Sequence, residues 1–340
     1  KQHSQNQSKK VKHLLGGNHM HWTEMLLPLS ISFAITISMM PIFIGYFKVK
    51  QFGQITREEG PKWHQVKSGT PTMGGVVFII AAILTVIGTA IWKDVLTVKL
   101  AMLLFVLLFF AAIGFLDDFL KIFKKQNEGL TSKQKFLSQL VGSFVFVALF
   151  FLSGSDPLIT IPFFGQIHNW LVFAVFTIIW ITGFSNAVNL TDGLDGLVAG
   201  TAGIAYTAYG ILAHRQGQLE VLLFCIAIVG GLIGFFFFNK KPAKIFMGDV
   251  GSLALGAGLA VVSLALHLEW SLLLIGLVFV IETASVMLQV GSFKLRGKRI
   301  FKMSPIHHHF EMSGWSEWRV VLTFWAVGLV SAILALWLLV

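Results

Sequence analysis

Leu100-Ala-Met-Leu-Leu-Phe-Val-Leu-Leu-Phe-Phe-Ala-Ala-Ile-Gly-Phe-Leu116 runs without a single charged residue and then meets Asp117-Asp118. At ~1.5 Å per helical residue such a run crosses most of a ~30 Å hydrocarbon core. Lipid offers no partner for backbone N–H and C=O groups, so the segment must satisfy its own and is a helix. The two acids then fall where the chain leaves lipid. The rest of the chain agrees: of 340 residues 55% are hydrophobic and only 12% charged, with mean hydropathy +0.77. That balance excludes an ordinary soluble domain.

The same pattern recurs along the sequence and predicts ten spans, near 25–47, 73–92, 99–116, 136–153, 169–186, 196–214, 219–238, 250–267, 271–291 and 320–340. The expected fold is a single all-α integral-membrane domain over residues 23–340, a bundle of about ten transmembrane helices. Thirty-three glycines suit the close helix approach that packing in lipid requires. Residues 1–22 are polar and basic and lack the apolar core of a signal peptide. His19-Met20 resembles a cloning-site scar, so part of this tail is expected to come from cloning. The one cysteine, Cys225, lies in mid-span and gives no disulfide framework.

Charge orients the bundle. With ten spans both ends of the chain lie on one side, and loops 48–72, 117–135, 187–195, 239–249 and 292–319 share the other. Those five loops hold nineteen of the 26 Lys and Arg, whereas the opposite side, leaving aside four in the 1–22 tail, holds only Lys93, Lys99 and Arg215. Positive-inside bias puts the five loops in the cytoplasm. Gly154–His168 then lies outside, where Pro157-Leu-Ile-Thr-Ile-Pro162 is expected to form a small hairpin. The basic run Lys294, Arg296, Lys298, Arg299, Lys302 alternates with Phe293, Ile300 and Phe301. It reads as an interfacial piece against anionic headgroups, which accounts for the +10 net charge without a nucleic-acid partner.

The unusual polar stretches all fall on that inner side. Asp117 and Lys121 share a face if the helix continues, and a solvated helix end with a salt bridge is the plain reading, worth ~0.5 kcal/mol. Adjacent acids repel, however, and a hard divalent cation such as magnesium would relieve them. Asn186, Asn189, Asp192 and Asp195 lie in Ser185-Asn-Ala-Val-Asn-Leu-Thr-Asp-Gly-Leu-Asp195 with no Lys or Arg nearby. Capping explains one such acid but not two acids and two asparagines. Asp249, in Gly248-Asp-Val-Gly251, is either an N-cap or part of a turn whose amides face an anion. His307-His308-His309 point different ways on a helix, so they suit phosphate oxygens or a carboxylate better than zinc. Glu282, the one acid well inside a span, either joins helices or supports the site from behind. A secondary transporter is the rival class, but it would place its polar groups near mid-membrane.

Lys67-Ser-Gly-Thr-Pro-Thr-Met-Gly-Gly75, Asp117-Asp118, Asn186–Asp195, Phe246–Ser252 and Ser304–Glu311 together resemble the signature set of the phospho-N-acetylmuramoyl-pentapeptide transferase (MraY) family. The aspartate motifs are shared by the wider polyprenyl-phosphate N-acetylhexosamine-1-phosphate transferases. The Pro-Thr-Met-Gly-Gly and Pro-Ile-His-His-His-Phe-Glu stretches point to this family among them. The ordered likeness runs from Met25 to Val340.

The resemblance implies a magnesium-dependent reaction of UDP-MurNAc-pentapeptide with undecaprenyl phosphate at the cytoplasmic membrane, giving lipid I and UMP. It implies Asp117, Asp118, Asp249 and His307 as catalytic, with Asp249 the favoured metal ligand and Asp117 the base or orienting group for the lipid phosphate. Lys67, Asn239, Phe246 and Asp195 are similar to a nucleotide pocket, with Phe246 as the aromatic face. Thr72, Lys133, Asn186, Asn189, Asp192, Gln289 and His308 are expected to contact substrate. A homodimer is implied as well.

Overall fold

The computed structural model describes residues 22–50, 69–124, 129–161 and 165–339, so the expectations for Lys67 and for the basic tail lie outside the described residues. The chain is an all-α polytopic membrane protein. Its helices are α1 (Trp22–Val49), α2 (Gly75–Trp92), α3 (Val98–Lys124) and α4 (Ser132–Leu152), followed by strands β1 (Leu158–Ile161) and β2 (Gly165–His168). Then come α5 (Trp170–Thr191), α6 (Leu197–Arg215), α7 (Leu219–Asn239), α8 (Gly248–Ala265), α9 (Ser271–Ile275), α10 (Leu277–Arg296), α11 (Ile306–Glu311) and α12 (Glu317–Leu339). Nine of the described helices are long and apolar enough to cross a membrane. The segment expected at 196–214 is also a helix, α6. It packs mainly on α7 and α12, and its run of alanine, glycine, threonine and tyrosine leaves it outside the nine.

Helix α8 is the axis. Every residue from Val250 to Leu264 is buried, and small side chains such as Gly251, Ala254, Gly256 and Ala257 let α3 and α5 lie along it. Polar side chains packed against this axis find partners on it. Trp180 Nε1 donates to Ser263 Oγ at 3.1 Å, and Tyr206 donates its hydroxyl to the Leu255 carbonyl at 2.8 Å. On the outside Ile42, Leu84, Leu108, Leu171 and Val330 are exposed, a surface that suits hydrocarbon rather than water.

Three local features depart from the sequence expectation. Helix α3 runs past Leu116 to Lys124, so Asp117 and Asp118 are helical residues and buried, not loop residues. Helix α5 likewise carries Asn186 and Asn189 in its last turns. The span expected at 271–291 is broken at Gly276: α9 packs on α12, whereas α10 packs on α5. The expected hairpin is present, with Leu158 opposite His168 and Ile161 opposite Gly165.

Candidate active site

Because α3 and α5 both cross α8, their polar ends converge on its first turn. Oxygens of Asp117, Asp118 and Asp249 lie within 4.8 Å of one another. Asp117 Oδ1 accepts from the Leu130 amide at 2.9 Å, and Asp118 Oδ2 accepts from the Val250 amide at 3.3 Å. Asp118 thus caps α8 from another helix, and the anion facing this helix N-terminus is the protein's own. Gly248 makes this possible. Its φ is +77°, and a β-carbon there would collide with Asp118 Oδ2. Asn189 donates from Nδ2 to Asp249 Oδ1 at 3.0 Å and to Ser252 Oγ at 2.9 Å, fixing the third acid from α5.

Two lysines enter the acid triangle. Lys121 Nζ lies 2.6 Å from Asp117 Oδ2 and 3.5 Å from both Asp118 Oδ1 and Asp249 Oδ2. Lys135 Nζ lies 3.3 Å from Asp117 Oδ2 and contacts Asp249 Oδ2. Three acids thus face two ammonium groups at the edge of the apolar bundle. Asp117 Oδ2 is buried and receives no aligned hydrogen bond among the described residues; the two ammonium groups are its ion-pair neighbours. Such an oxygen can take a hard cation.

The other expected site residues surround this centre in distinct ways. Asn186 is tied to Gln139 by a reciprocal amide pair and to the Thr182 carbonyl, so it braces α5 against α4. Asp192 caps the end of α5. Asp195 accepts from the Ala243 amide at 3.1 Å, and its own amide donates to Glu317 Oε1 at 2.9 Å. Asn239 accepts from the Gly196 amide and donates to the Ile245 carbonyl. Phe246 is half-buried on a segment whose backbone pairs with Pro71 and Gly74, next to buried Thr72. Gln289 spends its amide on the backbone of Ile300 and Phe301, ordering the basic strap that follows α10. The three histidines take different partners, His307 meeting Glu282, His308 meeting Glu311 and His309 accepting from the Lys302 amide, although the rings of His307 and His308 lie only 4.1 Å apart.

A model described as glycosyl transferase family 4 matches residues 100–267, which take in all three acids. A model described as phospho-N-acetylmuramoyl-pentapeptide-transferase signature 1 matches residues 67–79. A phospho-N-acetylmuramoyl-pentapeptide-transferase of Enterococcus hirae is 58% identical over 320 residues, 94% of this chain and 99% of its own length. Its counterpart in Enterococcus faecalis is 54% identical over 322 residues, 94% of this chain and all of its own. The chain belongs to the phospho-N-acetylmuramoyl-pentapeptide transferase family. Latilactobacillus sakei carries a further relative, 56% identical over 317 residues.

Within this transferase, sequence reasoning missed Lys135. Lys133, expected to contact substrate, is exposed in the first turn of α4, and Lys135 two residues on reaches the acids. The residues differ by about 200° around the helix, which only the crossing of α4 over α3 converts into a choice. Gln139, one turn after Lys135 on that helix, and Glu317 on α12 were also missed. Helical phase could have found Gln139; nothing local marks Glu317 as the partner of Asp195.

Proposed function

We propose that this enzyme transfers phospho-MurNAc-pentapeptide from UDP-MurNAc-pentapeptide to undecaprenyl phosphate, forming lipid I and releasing UMP. The observation that carries the reading is the meeting of Asp117, Asp118 and Asp249 with Lys121 and Lys135 at one end of a membrane bundle. One substrate is a soluble, highly anionic nucleotide sugar. The other has its phosphate at the membrane surface and its tail in lipid, and a site at a span end meets both. An oxygen of the lipid phosphate attacks the phosphorus next to the sugar, the P–O bond to UMP breaks, and UMP leaves with the electron pair. Direct attack needs no nucleophile from the protein, because the lipid phosphate supplies the attacking oxygen. UMP release from enzyme and nucleotide sugar without lipid acceptor would overturn direct attack in favour of an aspartyl intermediate.

The donor set fits magnesium: hard oxygens, three carboxylates within 4.8 Å, and one buried oxygen without an aligned hydrogen bond. Asp249, with Asp117 and Asp118, would hold it. When bound it supplies Lewis-acid withdrawal of charge from the diphosphate. Lys121 and Lys135 offer substrate phosphates the charge they now offer the acids, while Leu130 and the two lysines fix the direction in which Asp117 faces the lipid phosphate. Phe246, Asn239, Asp195 and Lys67 form the nucleotide side of the site in this reading. Positive-inside bias supports a cytoplasmic-facing site in the bacterial cytoplasmic membrane. A homodimer belongs to the same proposal.

Purified protein in detergent, given both substrates, is expected to form lipid-linked MurNAc-pentapeptide and UMP in equal amounts, and to stop when EDTA removes magnesium. UMP without lipid product, or turnover indifferent to EDTA, would sink the respective part.

A further inference from the structure

Glu282 and His307 are each 0% exposed, and they come from different elements, α10 and α11. His307 Nδ1 lies 3.1 Å from Glu282 Oε1. With Glu282 ionised, its carboxylate can only accept, so that Nδ1 then carries the proton and Nε2 is the free nitrogen of the ring. Nε2 is buried and has no hydrogen-bond partner among the described residues. It faces Gly193 so closely that a β-carbon there would collide with it. Gly193 follows Asp192 at the end of α5, on the helix that also fixes Asp249 through Asn189. The neighbouring His308 differs: its Nδ1 pairs with Glu311 within α11, three residues on.

A buried carboxylate in a membrane helix is costly, and its pairing with one histidine leaves Glu282 Oε2 still without a partner among the described residues. A mere staple between α10 and α11 would not need so expensive a group. We propose that Glu282 is a positioning residue for the transfer step, orienting His307 so that Nε2 is presented to an anionic oxygen of the nucleotide sugar beside Gly193. This rests on the function proposed above.

The test uses the full chain in detergent, with UDP-MurNAc-pentapeptide and undecaprenyl phosphate as probes. Glu282→Gln keeps an acceptor for Nδ1–H and should stay within about tenfold of the parent in kcat. Glu282→Leu should lose about 100-fold in kcat with KM for either substrate changed less than about threefold, the size usual for a partner that orients an imidazole. The double variant Glu282→Leu/His307→Ala should be no slower than His307→Ala alone, because residues acting as one unit are not additive. Glu282→Asp, which keeps the charge but withdraws it by one methylene, should fold and lose at least about tenfold in kcat; it serves if the leucine variant does not fold. Full kcat in a folded Glu282→Leu or Glu282→Asp, or losses that multiply in the double variant, would overturn the assignment. A parent enzyme that makes no lipid-linked product would instead overturn the function on which it rests.

Discussion

Asp249 stands in the first turn of α8 with Lys135, Lys121 and Asn189 on its carboxylate. Asp249→Asn keeps the shape but removes the charge that both lysines and a cation need, and should cut turnover at least about 10³-fold at ordinary magnesium. Phe246→Ala should mainly raise KM for the nucleotide sugar by roughly tenfold or more, since stacking on a base is worth ~1–3 kcal/mol. Steady-state kinetics separates the two. Lys135→Met should cost at least about 100-fold in kcat/KM and Lys133→Met less than about threefold, a contrast that comes from geometry alone. On the far side of the molecule, burial raises Glu269 from 4.5 to about 7. Between those values the folded chain keeps a proton that the unfolded chain has released, so stability falls as pH rises through the window and stays lowered above it. Glu269→Gln should therefore raise stability in detergent melts at pH 8, by on the order of 1–3 kcal/mol, with the gain gone by pH 4.

Among the elements, the junction of α3 and α8 is the one on which the centre depends. Gly248→Ala puts a β-carbon against Asp118 at a left-handed backbone position, costing on the order of 1–2 kcal/mol from conformation alone. It should lower the melting temperature and slow turnover more than tenfold, whereas Gly45→Ala, with nothing within 4 Å, should do neither. The helices themselves were legible because hydropathy is a property of the chain in one dimension. Asp117, Asp118 and Asp249 were legible for a related reason: acids at span ends stand out against apolar neighbours. The break at Gly276 was not, since a change of packing partner inside a continuous apolar run leaves the composition unaltered. Nor was the pairing of Glu282 with His307, or of Asp195 with Glu317. These are contacts across helix crossings, and one strand of sequence carries no record of which faces meet.

For the whole molecule, the reaction requires the acid centre and the hairpin β1–β2 to lie on opposite sides of the membrane. Asp117, Lys135, Asn189 and Asp249 already share one end of the bundle, so a single topology measurement settles all of them together. The native background is silent: Cys225, the one cysteine, is buried in the middle of α7. Gln166→Cys places a thiol on exposed β2, and Lys298→Cys places one on the exposed strap beyond α10. A membrane-impermeant maleimide applied to intact cells should label the Gln166→Cys protein and leave the Lys298→Cys protein unmodified until the cells are opened. The charge asymmetry demands this order, because nineteen cationic side chains on the inner loops would otherwise have to cross the membrane against the positive-inside bias. The reverse pattern would put the carboxylates outside, where no nucleotide sugar is supplied, and the transferase reading would fail with it.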